Sequence, residues 1–143
     1  MVVALDGLQA LDVALQALTR KGKVAARALS QEVARETARR QRSLLAVRWH
    51  PPRMLTNSPP GQPPAMVTGR LRESVKVTPP VPSGGWWITR TGPTTVYGRI
   101  QELGGVCGWQ HRTRLPPRPS LEPAWRLTRM RIGSIVQDVW RRG

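Results

Sequence analysis

The sequence predicts an α+β fold: a small antiparallel sheet packed by a long N-terminal helical region and a C-terminal helix, with a long Pro-rich loop. Three observations predict it. Apolar residues recur at helical spacing near both ends of the chain. Short β-prone runs bounded by Pro and Gly fill the middle. Between them, residues 51–66 read PPRMLTNSPPGQPPAM, six prolines and a glycine, which suits neither helix nor central strand.

Taken in order, Val2 to Leu5 is short and apolar and reads as an edge strand, with Asp6-Gly7 as a turn. A first helix then runs from about Leu8 to Thr19, with Leu8, Leu11, Leu15 and Leu18 on one stripe. A helix this short is marginal alone in water, so the stripe is expected to dock in the core. Gly22 separates it from a longer helix, Lys23 to Arg48, whose Ala25, Leu29, Val33, Leu44 and Val47 share a side. Arg40 interrupts that stripe and is expected to carry its charge out past a buried stem. Arg27, Arg35 and Arg42 lie near the opposite side as a basic ridge. The 51–66 segment, with Pro59, Pro60 and Pro63, should be extended and polyproline-like, and a loop this long is more often functional or mobile than incidental.

Thr68 then caps a short helix with Leu71 and Val75 facing inward. Val75 to Thr78 and Trp86 to Thr91 read as two strands, with residues 79–85 as their connection. Trp86 and Trp87 must point to opposite faces of their strand, one inward and one outward. Tyr97, Ile100 and Leu103 mark a turn of helix that ends at Gly104-Gly105. Residues 104–118 read as a second, irregular loop. A last helix is expected from Ser120, its cap, to Trp140, with Leu121, Trp125, Thr128, Ile132, Ile135 and Val139 in one sector. Gly133 should weaken it by ~1 kcal/mol relative to Ala.

At 143 residues the chain has room for one domain with one core. With six Trp, one Tyr and no Phe, that core must be mainly aliphatic. No run approaches the roughly 20 apolar residues of a membrane span. A signal peptide is not evident. Cys107 stands alone, so a soluble chain from a reducing compartment is expected. The formal charge is +15, carried mostly by arginine. Residues 20–48 hold nine basic and two acidic side chains, and residues 109–143 hold eight and two. Such a surface attracts nucleic acid or an acidic protein face and repels its own copies.

Catalytic patterns are not apparent. His50 and His111 are the only histidines, and Cys107 with His111 makes a single C-x3-H pair without a matching second one. The eight acids are scattered, and the Gly pairs lack the Lys-Ser/Thr that follows a phosphate-cradling loop. Neither enzyme activity nor a metal or other cofactor is expected.

Three stretches stand out by their order: TGRLRESV at 68–75, GPTTVYGRIQELGG at 92–105 and LPPRPSLEPA at 115–124. Together they resemble the tail-completion and head-to-tail connector (neck) proteins of tailed bacteriophages, the gene-ten-like family of lambdoid siphophages. The family patterns are TGxLRxS, YxxxxExG and PxRPxLxPA. Ser120 departs from the last, where a larger residue is usual. The resemblance implies a single connector domain and a virion structural protein of the neck, assembled in the host cytoplasm. It further implies a homo-oligomeric ring of about six copies between head connector or stopper and tail tube or terminator, with genomic DNA passing through and no membrane. It makes Glu102 a candidate for pairing across a ring interface with Arg70, Arg72 or Arg118, the alternative being a local salt bridge or helix-end hydrogen bond. Because the equivalent region of the family is a projecting loop, the resemblance also implies that 51–66, with Pro59, Pro60 and Pro63, is an arm onto a neighbouring subunit. Trp87 is a further interface candidate, and Arg27, Arg35 and Arg42 are candidates to face DNA or an acidic partner. Two other functions compete: a tail terminator ring that stops tube polymerisation, and a basic nucleic-acid-binding module lacking the usual signatures.

Overall fold

A computed structural model describes residues 3–53 and 58–142. Its first element, α1, is one 42-residue helix, Val3–Leu44. The expected strand, the Asp6-Gly7 turn and the break at Gly22 are therefore corrected, with Val2 outside the described residues. Ala, Leu, Gln, Lys and Arg dominate on both sides of Gly22, no proline interrupts, and one glycine costs only ~1 kcal/mol against so long a ladder. The helix stops at Leu44, short of the expected Arg48, where i→i−3 bonds from Ala46 and Val47 tighten the last turn.

The Pro-rich segment is closed at its base. His50 N–H donates to Met66 O at 3.2 Å and Met66 N–H to Arg48 O at 2.7 Å. Beyond it, α2 (Arg70–Glu73) starts from Gly69 at φ 78 rather than from Thr68. Thr68 Oγ1 accepts only a long 3.5 Å bond from Arg70 N–H.

The expected two strands are four. β1 (Val75–Val77) pairs antiparallel with β4 (Thr91–Pro93), and β2 (Val81–Ser83) pairs with β3 (Trp86–Ile88). Both ladders belong to one long hairpin with a step in it. Val77 faces Thr91, Thr78 N–H donates to Arg90 O at 2.9 Å, and Val81 faces Ile88. Pro79 and Pro80 thus stand together opposite Thr89, an extra residue at a position where proline's missing N–H is harmless. At the tip, Gly84 and Gly85 both have positive φ (53° and 86°), the conformation a two-residue type I′ turn requires. The tryptophans alternate as expected: Trp86 is exposed, while Trp87 turns toward α1 beneath Arg27, 5.6 Å from ring centroid to guanidinium. Ser30 and Thr89 hydroxyls, 3.0 Å apart, fix the same contact.

After β4 come α3 (Gly98–Leu103) and the antiparallel pair β5 (Gly105–Cys107) and β6 (Thr113–Leu115), joined through a 3-10 turn at Trp109–His111. The expected irregular loop is thus largely a hairpin. Instead of one C-terminal helix there are two, α4 (Leu121–Arg129) and α5 (Ile132–Arg142). Thr128 Oγ1 donates back to Ala124 O, and Arg131 N–H donates to Thr128 O, so the ladder tightens and restarts there.

The core sits where α1 meets β1, α4 and α5. Its buried apolar residues are Ala34, Ala38, Leu45, Val75, Ala124 and Val139, interleaved with buried Thr37, Gln41, Ser120 and Thr128. The face of α1 that packs is therefore Ala34, Thr37, Ala38 and Gln41, small and partly polar, continued by Leu45 just past the helix end. Val33 and Leu44 are half-buried, and Val47 is exposed. Small side chains let two helix backbones approach closely, and the hydroxyls are satisfied within the seam: Thr37 by Val33 O, Thr128 by Ala124 O.

Candidate functional site

The three sequence stretches with the most information meet at one joint. Gly98, the first residue of α3, is buried, and a Cβ there would lie 2.8 Å from Cγ of Pro93, so the helix starts hard against β4. Thr94 N–H and Oγ1 both donate to Ser74 O, at 3.0 and 3.1 Å, tying this segment to the end of α2. From the far end of α3, Glu102 reaches the start of α4. Its carboxylate accepts from the backbone N–H groups of Ser120 (2.8 Å), Leu121 (3.0 Å) and Glu122 (3.0 Å), and from Ser120 Oγ (3.2 Å).

Those three N–H groups have no partner inside their own helix, and a negative charge at a helix N-terminus is favourable. The expected cap was the Ser120 side chain. Ser120 does occupy the cap position, but its hydroxyl makes no cap bond to its own helix. It bridges instead: buried Gln41 Nε2 donates to Ser120 Oγ at 3.0 Å, and that hydroxyl donates on to Glu102. A bulkier side chain would not supply that link from α1 to α3. Of the two roles weighed for Glu102, its geometry is the helix-end hydrogen bond, made within the chain.

Arg118 is likewise committed inside the chain. It is buried, with Nε donating to Ser58 O at 2.8 Å and its backbone N–H to Gln101 O at 2.7 Å. With Gly61 N–H on Pro117 O at 2.9 Å, it holds residues 58–61 against the approach to α4. The described part of the Pro-rich segment thus folds back onto its own domain, leaving Pro59 and Pro60 exposed and Pro63 half-buried. Arg70 and Arg72 are exposed on α2, and Tyr97, just before α3, is also exposed. The ridge arginines each meet a group of their own chain: Arg27 the Trp87 ring, Arg35 the Glu32 carboxylate at 2.8 Å, and Arg42 the carbonyl of Val75.

Sequence reasoning missed Glu36. Its carboxylate takes Arg39 and Arg40 on α1, at 2.6 and 2.8 Å, and Arg131 at the α4–α5 break at 3.5 Å. The i+3 and i+4 spacings were visible; Arg131 was not. Partial burial pushes the Glu36 carboxyl up, but the hydrogen bonds and charges of Arg39 and Arg40 outweigh it and hold the group below its ordinary range. A depressed folded-state pKa contributes stability that is complete above the ordinary glutamate range and is lost as pH falls through the lowered folded value. Glu36→Gln is therefore expected to cost about 1–2 kcal/mol at neutral pH. Urea unfolding of both proteins at neutral and acid pH checks this: the gap between them should close in acid.

Among the described residues, no group of three His, Cys, Asp or Glu side chains is placed to hold a metal ion, and no helix is long and apolar enough to cross a membrane. No family model, curated protein or solved structure matches the chain.

Proposed function

We propose that this chain is a structural protein of the bacteriophage neck, a tail-completion or head-to-tail joining ring that connects the tail tube to the head connector. The observation that carries the reading is the joint. The three stretches that resemble the connector family in sequence form one hydrogen-bonded unit, with the Glu of YGRIQELGG capping the helix of RPSLEPA. A motif set that builds one structural element is a stronger basis for kinship than three separate strings.

The surface supports an assembling role. Among the described residues only six apolar side chains are buried, while Leu11, Leu15, Leu18, Trp86, Val96, Leu103, Val106 and Trp109 all stand exposed. Exposed apolar surface on this scale marks contacts with other molecules. A protomer of this kind makes heterologous contacts that close into a ring. The strong positive charge suits a channel wall through which a polyanion passes.

Negative-stain imaging and sedimentation of the purified protein test the reading. Rings are the expected result, together with binding to connector or tail components. A monomer that binds neither would overturn it. In phage carrying a deletion, normal tails beside unjoined full heads are expected, whereas tails of uncontrolled length would identify a terminator. Steeply salt-dependent DNA affinity in a lone monomer would instead favour the nucleic-acid-binding module.

A further inference from the structure

The first half of α1 is a projecting helix with an uncovered apolar stripe. Residues 9–21 are exposed at every position. The stripe residues Leu11, Leu15 and Leu18, expected in the core, are 55%, 53% and 57% exposed. Where the domain begins, Trp140 of α5 meets Lys21, 5.4 Å from ammonium to ring centroid. The helix before that point is roughly 27 Å long. It is also the most acidic stretch of a basic chain: residues 1–19 contain Asp6 and Asp12 and no Lys or Arg, so the other 124 residues carry +17.

A complementary surface lies on the outer side of α3. The inner side of that helix is committed through Gln101 and Glu102 to the joint. The outer side presents Val96, Ile100 and Leu103, continued by Val106 on β5. Leu103 is 66% and Val106 51% exposed. Arg99 flanks this apolar strip on α3 and Arg114 flanks it on β6, where a second shallow groove shares Leu103 and Val106 with the first. Neither arginine makes an ion pair among the described residues.

We infer that the N-terminal half of α1 in one copy lies across the α3 face of the next, with its leucines on Leu103 and Val106 and Asp12, beside the stripe, toward the arginines that flank that face, Arg99 and Arg114. Opposite local charge selects this pairing in a chain whose copies otherwise repel. Each protomer gives one arm and receives one, a head-to-tail contact that closes into a ring or runs on as a filament. The inference rests on the ring reading above and names the contact that would build the ring.

The test uses full-length protein and two double variants, Leu15→Asp with Leu18→Asp in the arm, and Leu103→Asp with Val106→Asp in the face. All four positions are exposed, so far-UV circular dichroism and thermal midpoint should stay within error of the parent. Sedimentation velocity should show the parent as rings and each variant as monomer. Mixed in equal amounts, the two variants should give a one-to-one dimer that grows no further, because one supplies the only intact arm and the other the only intact face. Rings that persist in either variant overturn the arm contact and leave the ring reading standing. A monomeric parent overturns both. Monomeric variants that do not pair when mixed also overturn the inference, since the two surfaces would then serve different contacts.

Discussion

Gly104→Ala is expected to lower the unfolding free energy by more than about 3 kcal/mol, enough to leave much of a marginally stable domain unfolded at 37 °C. Gly104 ends α3 with φ 70° and ψ −177°, a region that essentially only glycine adopts. A Cβ there would stand 2.8 Å from the backbone nitrogen of Pro117 and 2.9 Å from the carbonyl oxygen of Leu115. Neither neighbour is the free end of a side chain, so relief requires moving the strand that leads into α4. Strain and overpacking each contribute ~1–3 kcal/mol. Gly22→Ala is the contrasting control. It sits inside α1 with nothing within 4 Å of its Cβ position, so it should raise stability by up to ~1 kcal/mol. Chemical unfolding of the two variants beside the parent checks both signs.

Gly104 also shows what the sequence carries and what it omits. A Gly-Gly pair after a three-residue apolar spacing marks a helix end by local geometry alone. That the first glycine must also let another strand pass is a tertiary fact, held in residues eleven to thirteen positions later. The same division runs through the fold. The helices at both ends and the β-prone middle were legible because apolar periodicity is local. The packing face of α1 was not, because it is built from Ala34, Thr37, Ala38 and Gln41, which hydropathy does not single out. The larger Leu11, Leu15 and Leu18 drew the prediction of a core and are exposed instead. Pro79-Pro80 reads as loop by composition, yet a bulge carries the hairpin through it into a second ladder.

A helix-end hydrogen bond was one of two roles open to Glu102, but a carboxylate that caps a helix eighteen to twenty residues away leaves no spacing signature. Its removal is the second large effect expected. Glu102→Ala deprives three backbone N–H groups and the buried Ser120 hydroxyl of their acceptor, which should cost about 2–3 kcal/mol. Glu102→Gln keeps one acceptor oxygen and loses the charge, so about 1 kcal/mol is expected. A double-mutant cycle with Ser120→Ala should show a coupling of roughly 1 kcal/mol, because Gln41, Ser120 and Glu102 form one chain of hydrogen bonds. Equal losses in the Ala and Gln variants would show that Glu102 acts through its charge alone and not as a directed acceptor. Amide exchange at Leu121 and Glu122 reports the same cap locally: their protection should fall in Glu102→Ala well before that of α1. Leu103, the next residue, points the other way, so its substitution should leave stability intact and act only on assembly. Two adjacent positions on one short helix thus separate the protomer's own fold from its contact with a neighbour.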